Sequence, residues 1–255
     1  MVKLTFLGTG TSQGVPIIAC KCPVCQSNNH KDKRLRSSVL ITVDGQNLVI
    51  DSGPDFRYQM LRAKVENISA IIFTHEHKDH TAGLDDIRAF NWVNKKAVSI
   101  YAEKRVQESL KKEFSYVFAE FKYPGIPQMN LIDVTDEAFH INGTSIQPIR
   151  VKHLKLPVYG FRIGDLAYIT DANYISPEEK EKLKGLKVLV LNALRKETHI
   201  SHYTLSEALD IVKELKPEKA YFTHISHQMG FHDEVEAELP DNVFLAYDEL
   251  EIEVE

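Results

Sequence analysis

Three histidines and one aspartate lie within six residues, directly after a short apolar run. They are His75, His77, Asp79 and His80, and the apolar run covers residues 70–73. Such a run is typical of a buried strand, so the polar residues follow in the loop at its end. Residues two apart point to the same side of an extended chain, and His75 and His77 can therefore share one metal ion. Imidazole and carboxylate donors together suit zinc, manganese or iron better than calcium, and the remaining two residues can reach a second ion.

The motif of residues 75–80 resembles the signature of the metallo-β-lactamase superfamily of hydrolases. This resemblance implies three further metal ligands in chain order, namely a histidine, an aspartate and a histidine. The sequence supplies His153, Asp171 and His224, each at the end of a strand-like segment. Because α/β folds collect functional residues at the carboxyl ends of strands, we expect these three to join the motif.

The resemblance implies a centre of two divalent metals, Mn²⁺ or Zn²⁺, that share a hydroxide for attack on a phosphodiester. The implied ligands are His75, His77 and His153 for one metal, Asp79, His80 and His224 for the other, and Asp171 as the bridge. Asp79 is expected to serve in catalysis as well as in metal binding.

The three cysteines of the chain, Cys20, Cys22 and Cys25, lie together near the N-terminus. Three cysteines cannot all pair, and their clustering indicates metal binding in a reducing compartment rather than a disulfide framework. The C-x-C-x-x-C spacing supplies three of the four ligands of a tetrahedral zinc site. The residues alone leave the fourth ligand open among three histidines, which are His30, His227 and His232.

Together with the motif of residues 75–80, the cysteine cluster resembles the PhnP-like subgroup, the phosphoribosyl 1,2-cyclic phosphate phosphodiesterases of the carbon–phosphorus lyase pathway. In that subgroup a structural zinc is held by three such cysteines and a histidine three residues after the last catalytic histidine. The corresponding residue here is His227. The resemblance thus implies one structural Zn²⁺ and a loop that serves two sites, with His224 facing the reaction.

A further histidine, His202, lies just before a helix. Thr204 and Glu207 have the spacing of a capping box, which predicts that the helix starts there. Related phosphodiesterases and the transfer-RNA 3′-processing nucleases of this superfamily place a proton-donating histidine before a similar helix. By this resemblance His202 fits the role better than His199, in a loop mobile enough to reach a substrate.

The implied activity is that of a phosphoric diester hydrolase that opens a small cyclic phosphate such as 5-phosphoribosyl 1,2-cyclic phosphate. A transfer-RNA 3′-processing endonuclease is the first alternative, but the net charge of −5 and the lack of a long Gly- and Lys-rich insertion disfavour nucleic acid as a partner. A thioester or lactam hydrolase would not be expected to carry the cysteine cluster or His202. A non-catalytic metal-binding scaffold would be expected to have lost some ligands.

The elements that must hold these residues are strands and helices in mixed order. The chain has 255 residues, of which 43% are hydrophobic and 26% charged, as in ordinary globular proteins. This pattern indicates mixed α and β structure, and the resemblance adds the α+β four-layer αββα sandwich. We expect one domain over residues 1–255, with a zinc knuckle at about residues 20–25.

The apolar runs are short of the ~18 residues that span a membrane. The sequence begins Met-Val-Lys and passes into a strand-like segment, so we expect a cytoplasmic protein without a membrane partner. The expected partner is a small-molecule phosphodiester. The pattern leaves the oligomeric state open, with a homodimer among the options.

The sequence also predicts several helices and a strand, and it leaves two alternatives for some segments. We predict helices from Pro54 to Lys64, from His80 to Asn94 and from Lys104 to Phe118, and one edge strand from Val243 to Val254. Asp51 either supports the metal loop or makes a turn. The glycine-rich residues 8–14 form either a tight turn or a loop under the metal site, and residues 121–127 form either an ordinary loop or part of the substrate mouth.

Overall fold

A computed structural model describes residues 1–121 and 123–255. Its strands, in chain order, are β1 (Val2–Gly8), β2 (Ser38–Val43), β3 (Gln46–Ile50), β4 (Ala70–Ile72), β5 (Val98–Ala102), β6 (Met129–Asp133), β7 (Phe139–Ile141), β8 (Thr144–His153), β9 (Leu156–Ile163), β10 (Leu166–Ile169), β11 (Tyr174–Ile175), β12 (Val188–Asn192), β13 (Lys219–Thr223), β14 (Val243–Leu245) and β15 (Glu251–Val254).

The helices are mostly short. They are α1 (Pro23–Gln26), α2 (Phe56–Arg62), α3 (Lys78–Thr81), α4 (Arg88–Asn94), α5 (Lys104–Glu113), α6 (Ser115–Phe118), α7 (Pro177–Glu181), α8 (Leu205–Leu215) and α9 (His232–Glu236). Turns of 3₁₀-helix cover His30–Asp32, Leu84–Ile87 and His227–Met229. No helix in the described part of the chain is both long and apolar enough to cross a membrane.

The strands form two mixed sheets. The first has the order β15-β1-β2-β3-β4-β5-β6, and the second has the order β11-β8-β9-β10-β12-β13-β14, with β7 paired to β8. In the first sheet β3, β4, β5 and β6 run parallel, and in the second sheet β10, β12, β13 and β14 do. Parallel strands end at the same edge, so residues that follow them come together there.

Three apolar cores separate four layers. One core lies between the two sheets and contains Phe6, Ile50 and Tyr168. A second packs the outer face of the first sheet against α2, α4, α5 and α6. The third packs the outer face of the second sheet against α8 and α9. This arrangement is an αββα sandwich, which confirms the fold that the resemblance implied.

The hairpin between β2 and β3 follows its turn residues. Asp44 and Gly45 both have positive φ, 51° and 74°, which the type I′ turn of a two-residue hairpin requires. The two strands pair in register from Val43 with Gln46 to Val39 with Ile50. This register sets the end of β3 at Ile50, so that Asp51 emerges at the edge where β4 also ends.

The helix predicted from His80 to Asn94 is wrong as a single element. It is divided into α3, the 3₁₀ turn Leu84–Ile87 and α4. The division falls at Gly83, whose backbone N–H donates to the Ser52 carbonyl at 2.9 Å. A β-carbon on Gly83 would lie 2.1 Å from the Gly53 carbonyl oxygen, so the two segments approach too closely for another residue. His80 therefore stands on a one-turn helix pressed against the turn after β3.

Three other predicted elements also need correction. Helix α2 begins at Phe56 rather than at Pro54, and the helix predicted from residue 104 to residue 118 is interrupted at Phe114. The predicted edge strand at the C-terminus is two edge strands, β14 in the second sheet and β15 in the first. The chain changes sheet between them, where Asp248 accepts hydrogen bonds from the Thr9 backbone N–H at 2.9 Å and side chain at 2.8 Å.

The irregular segment of residues 121–127 leads into the amino end of β6. Gln128, which follows it, accepts a hydrogen bond through its carbonyl from Val98, the first residue of β5. The motif of residues 75–80 follows the opposite, carboxyl end of β4, which is parallel to β5. Of the two readings of this segment, its position favours an ordinary loop over part of a substrate mouth. Lys122, which belongs to the segment, lies outside the described residues.

Candidate metal centre

Strand ends place the predicted ligands at one edge of the sandwich. His75 follows β4, Asp171 follows β10 and His224 follows β13. Asp171 and His224 have positive φ values of 55° and 56°, and Asp51 after β3 has 65°. Left-handed backbone is costly for residues other than glycine and clusters at functional sites. These turns direct the side chains back over the sheet edge rather than onward along the strand.

Asp171 stands between two groups of histidines. The first group is His75, His77 and His153, and each of these offers a ligand atom within 4.8 Å of the others and of Asp171. The second group is His80 and His224, each of which offers a ligand atom within 4.8 Å of the other and of Asp171.

The two oxygens of Asp171 face different groups. Its Oδ2 lies 3.7 Å from the Nε2 of His75. Its Oδ1 lies 3.4 Å from the Nε2 of His80 and 3.1 Å from the Nδ1 of His224. Asp79 adds a carboxylate oxygen 3.2 Å from the same His80 nitrogen. All seven side chains expected as metal ligands are thus brought together, and one carboxylate is placed to bridge the two groups.

Asp51 supports this cluster from behind. Its carboxylate accepts a hydrogen bond from the Nδ1 of His80 at 2.7 Å, and from the backbone N–H and hydroxyl of Thr74 at 2.9 and 2.8 Å. A histidine whose Nδ1–H is held by a carboxylate presents its Nε2 to a metal in a fixed orientation. Of the two readings open for Asp51, the structure favours support of the metal loop.

The glycine-rich loop after β1 lies beneath His224. Thr11 places its hydroxyl 3.2 Å from the Nε2 of His224, and Ser37 places its hydroxyl 3.2 Å from the Nδ1. Ser37 also donates to the Gly10 carbonyl at 2.9 Å. Of the two readings of residues 8–14, the structure favours the loop under the metal site, but neither hydroxyl was predicted from the sequence. The residue types carried no signal for them, because Ser37 reaches His224 across 187 positions of the chain.

The charges of the cluster favour a bound cation. Burial would lower the pKa of His80, but Asp171, Asp79 and Asp51 outweigh it and raise that pKa well above its usual value. Burial lowers the pKa of His75. Among the residues that the structure describes, the buried Nε2 atoms of His75 and His80 have no hydrogen-bond partner. Unpaired imidazole nitrogens beside ionised carboxylates are the donor set of a divalent metal such as zinc or manganese.

His202 stands against both groups of the cluster. Its ring centroid lies 4.6 Å from that of His153 and 4.8 Å from that of His224. The capping box of Thr204 and Glu207 is present, and α8 begins directly after Thr204. Only 8% of His202 is exposed, so the ring is enclosed. The sequence had predicted a more mobile position for it. Burial lowers the pKa of His202 to about 3, which keeps the free ring neutral.

The cysteine cluster forms a second, separate group with His227. The Nδ1 of this histidine lies 3.5, 3.2 and 3.5 Å from the sulfurs of Cys20, Cys22 and Cys25. All three cysteines are free of disulfides. A hydrogen bond from the Cys25 backbone, with help from His227, lowers the pKa of Cys22 to about 6, although burial raises that of Cys25 to about 11. Three sulfurs and one imidazole at these distances fit a tetrahedral zinc site.

The other two candidates for the fourth ligand lie elsewhere. His30 and His232 pack on the ring of Tyr247, with centroids 5.9 and 5.7 Å away. Neither belongs to the group that the cysteines form with His227. The choice that the resemblance implied is therefore the one the geometry favours.

Two solved structures share the fold of this chain, and one of them also shares much of its sequence. A crystal structure of a diphosphatase from the PhnP family is 41% identical, has a TM-score of 0.93, and covers 100% of this chain and 98% of its own. Zn²⁺-bound PqqB from Methylobacterium extorquens has a TM-score of 0.80 at 18% identity, covering 99% of this chain and 100% of its own, which shows the fold alone.

A curated relative is longer than this chain. The octanoyltransferase of Porphyromonas gingivalis is 39% identical over 253 residues, which is 98% of this chain and 51% of the relative. The chain thus spans about half the length of that protein, and the name octanoyltransferase refers to the whole protein.

The family model of the beta-lactamase superfamily domain matches residues 46–225. This range contains the seven clustered side chains and His202. The match to the solved diphosphatase extends over the whole chain, including the cysteine cluster. The chain therefore belongs to the metallo-β-lactamase superfamily of metal-dependent hydrolases and, within it, to the PhnP family.

Proposed function

We propose that this chain is a dinuclear metal-dependent phosphodiesterase that opens a small cyclic phosphate, such as 5-phosphoribosyl 1,2-cyclic phosphate. One observation carries the proposal. Asp171 presents its two carboxylate oxygens to two groups of histidines, and the ring of His202 lies against one member of each group, His153 and His224. This arrangement suits a reaction in which a nucleophile and a proton donor act on opposite sides of one phosphorus atom.

The metal assignment follows the two groups. His75, His77 and His153 would hold one ion, Asp79, His80 and His224 the other, and Asp171 would bind both. When bound, two Mn²⁺ or Zn²⁺ ions supply a water acidic enough to be a hydroxide near neutral pH and draw charge from the phosphoryl oxygens. The carboxylate of Asp79, which lies 3.2 Å from the Nε2 of His80, would serve the reaction by helping to hold this second ion.

His202 would supply the proton for the leaving oxygen once the negative charge of a bound phosphodiester raises the pKa that burial lowers in the free protein. An alkoxide that departs from a sugar is a poor leaving group near neutral pH, so a positioned general acid accelerates its departure by ~10²–10⁴-fold. The ring of His202 lies within stacking distance of two ligand rings and therefore close to any phosphate held by the cluster. The ring of His199 lies next to that of His202, with centroids 5.1 Å apart, but His199 belongs to neither group of the cluster.

The His202→Ala variant tests this role. We expect turnover of an alkyl phosphodiester to fall by ~10²–10⁴-fold, and turnover of an aryl diester with a good leaving group to fall much less, because only the alkoxide needs the proton. Metal content should not change. His199→Ala, in the same loop, should keep both rates. Equal loss on both substrates, or no loss on the alkyl diester, would remove the assigned role.

A product assay by phosphorus NMR tests the substrate class. The protein with manganese would receive the ribosyl cyclic phosphate, a 2′,3′-cyclic nucleotide, a simple aryl phosphodiester and a nucleoside diphosphate in parallel. Preference for the ribosyl cyclic phosphate supports the proposal. Cleavage of the aryl diester alone would keep the phosphodiesterase chemistry and overturn the substrate assignment.

A diphosphatase is the second candidate, favoured by the 41% identity to a diphosphatase of the same family. A diphosphate releases phosphate, which leaves more easily than a sugar alkoxide and depends less on a proton donor. If the nucleoside diphosphate is the preferred substrate, the His202→Ala variant should retain most of its turnover on it. The two candidates thus differ both in the product spectrum and in their need for His202.

A further inference from the structure

We infer that Asn173 is a positioning residue for His202, an inference that rests on the proton-donor role proposed above. Asn173 follows Asp171 by two residues and does not belong to the metal cluster. Its side chain and backbone join three segments, each of which carries a different residue of the site.

The contacts of Asn173 are specific. Its backbone N–H donates to the Lys152 carbonyl at 2.8 Å. Its Oδ1 accepts a hydrogen bond from the backbone N–H of Leu154 at 2.9 Å, and its Nδ2 donates to the carbonyl of Ile200 at 3.1 Å. The amide group thus links the turn after His153 to the loop before His202, with a donor on one side and an acceptor on the other.

The loop around His202 makes further hydrogen bonds to these same segments. The Ser201 carbonyl accepts from the Nδ1 of His153 at 2.8 Å, and the Tyr203 backbone N–H donates to the Ala172 carbonyl at 2.9 Å. These bonds hold the residues on either side of His202. Residues 196–198 and Ile200 are exposed, so the approach to His202 has little apolar packing of its own. The Arg195 guanidinium donates to the carbonyls of Glu197 and Thr198, and the bond from Asn173 holds Ile200, which is closer to His202 along the chain.

The backbone beside Asn173 is strained in the way expected of a constrained site. Leu154 has a φ of 58° in the two-residue turn between β8 and β9, where glycine, asparagine or aspartate is usual. The side chain of Leu154 is 49% exposed, so packing does not enforce this conformation. The hydrogen bond from its N–H to Asn173 stabilises this turn.

Loss of the hydrogen bonds of Asn173 should impair proton transfer more than metal binding. A general acid must lie within hydrogen-bond reach of the leaving oxygen, and a misplacement of ~1 Å can cost ~10²-fold in rate. Loss of the bond to Ile200 loosens the segment before His202, whereas the hydrogen bond from the Nδ1 of His153 to the Ser201 carbonyl remains to orient that ligand. Substrates with poor leaving groups should therefore suffer, and substrates with good leaving groups should not.

The test uses two variants of Asn173 and one matched control. Asn173→Asp keeps the acceptor for Leu154 but has no donor for Ile200, and Asn173→Ala loses both bonds without adding a charge. Asn242→Asp makes the same chemical change at a side chain that donates to the Pro217 carbonyl at 3.5 Å, at the opposite end of the second sheet. Each full-length variant is compared with wild type and with His202→Ala on alkyl and aryl phosphodiesters.

We expect both Asn173 variants to lower the alkyl-to-aryl rate ratio by ~10-fold or more, with metal content unchanged. The Asn173→Asp, His202→Ala double variant should be no slower on the alkyl diester than His202→Ala alone. The ¹⁵N and ¹H ring resonances of His202, identified by their absence in His202→Ala, should shift or broaden in both variants. Asn242→Asp should match wild type in every measurement.

The outcomes separate the two proposals. Unchanged His202 ring resonances in both Asn173 variants overturn the inference, whatever the rates. Equal losses on alkyl and aryl substrates, together with reduced metal content, also overturn it, because Asn173 would then support only the metal cluster. Altered His202 resonances in a protein whose His202→Ala variant shows no leaving-group effect would uphold the positioning role and reject His202 as the proton donor.

Discussion

At the scale of single residues, the candidate metal centre depends on side chains that would not themselves touch a metal. Asp51 holds His80 and Thr74 by three hydrogen bonds, and Ser37 and Thr11 contact the two nitrogens of His224. The bond to Asp51 occupies the Nδ1 of His80, so the Nε2 of that ring faces the cluster, and the two hydroxyls limit the rotation of the His224 ring. Because a ligand held in one orientation loses less entropy on binding a metal, these residues contribute to affinity from a distance.

The Asp51→Asn variant tests this support. An amide cannot accept all three hydrogen bonds, since its NH₂ group must face either His80 or Thr74, both of which donate. We expect metal affinity, measured by calorimetric titration of the metal-free protein, to fall by ~10–100-fold.

Asp44→Asn is the control, because Asp44 and Asp51 have similar positive φ values of 51° and 65° that asparagine tolerates. Equal metal affinity in the two variants would show that Asp51 only shapes the turn.

At the scale of elements, the cysteine cluster joins two distant parts of the chain. Cys22 caps α1, which lies near the N-terminus, and His227 begins the 3₁₀ turn just after His224. A zinc ion held by these residues would anchor the loop that carries His224. The zinc knuckle is therefore expected to fix the backbone position of His224 and to take no direct part in the reaction.

The Cys22→Ser variant tests the knuckle. We expect loss of one zinc per chain by elemental analysis, because serine is a poor zinc ligand. A structural zinc contributes directly to folding, and a loss of ~3 kcal/mol would lower the melting temperature by ~6–12 °C in a chain of this size. Lys21→Ser, at the neighbouring exposed position, should keep both the zinc and the melting temperature. Unchanged zinc content and melting temperature in Cys22→Ser would contradict a structural zinc at this cluster.

At the scale of the whole molecule, buried Arg34 connects the two ends of the chain. Its guanidinium donates to the hydroxyl of Thr9 at 2.9 Å and to the carbonyl of Ala246, and lies 3.1 Å from the Nδ1 of His232. A neutral His232 can accept from the arginine, whereas a protonated ring would bring two positive charges together. Burial, followed by the charge of Arg34, lowers the pKa of His232 to about 4.

This shift predicts how stability depends on pH. Above pH ~6.5 the ring is neutral in both states, and the stabilisation is complete. As the pH falls from about 6.5 towards 4, the unfolded chain binds a proton that the folded protein does not, so stability is lost. Wild type should therefore lose ~2 kcal/mol more than His232→Gln between pH 7 and pH 4.5, as measured by urea unfolding. Glutamine keeps an acceptor for Arg34 without titrating, and parallel curves for the two proteins would refute the assignment.

The sequence by itself determined the chemistry of this protein to a large extent. Metal ligation demands particular donor atoms, and the motif of residues 75–80 and the three cysteines carry them at spacings that a local segment can satisfy. The hairpin turn at Asp44 and Gly45 and the capping box before α8 were predictable for the same reason, because each depends on neighbours within three residues.

Only the tertiary structure decided which distant residues support that chemistry. The support of His80 by Asp51, the link from Asn173 to Ile200 and the pairing of Arg34 with His232 join residues that lie 29, 27 and 198 positions apart. The division of the predicted helix at Gly83 and of the C-terminal strand into β14 and β15 also follows from contacts with remote segments. Residue type and local spacing carry no record of such contacts, because they are set by how the two sheets pack and where their strands end.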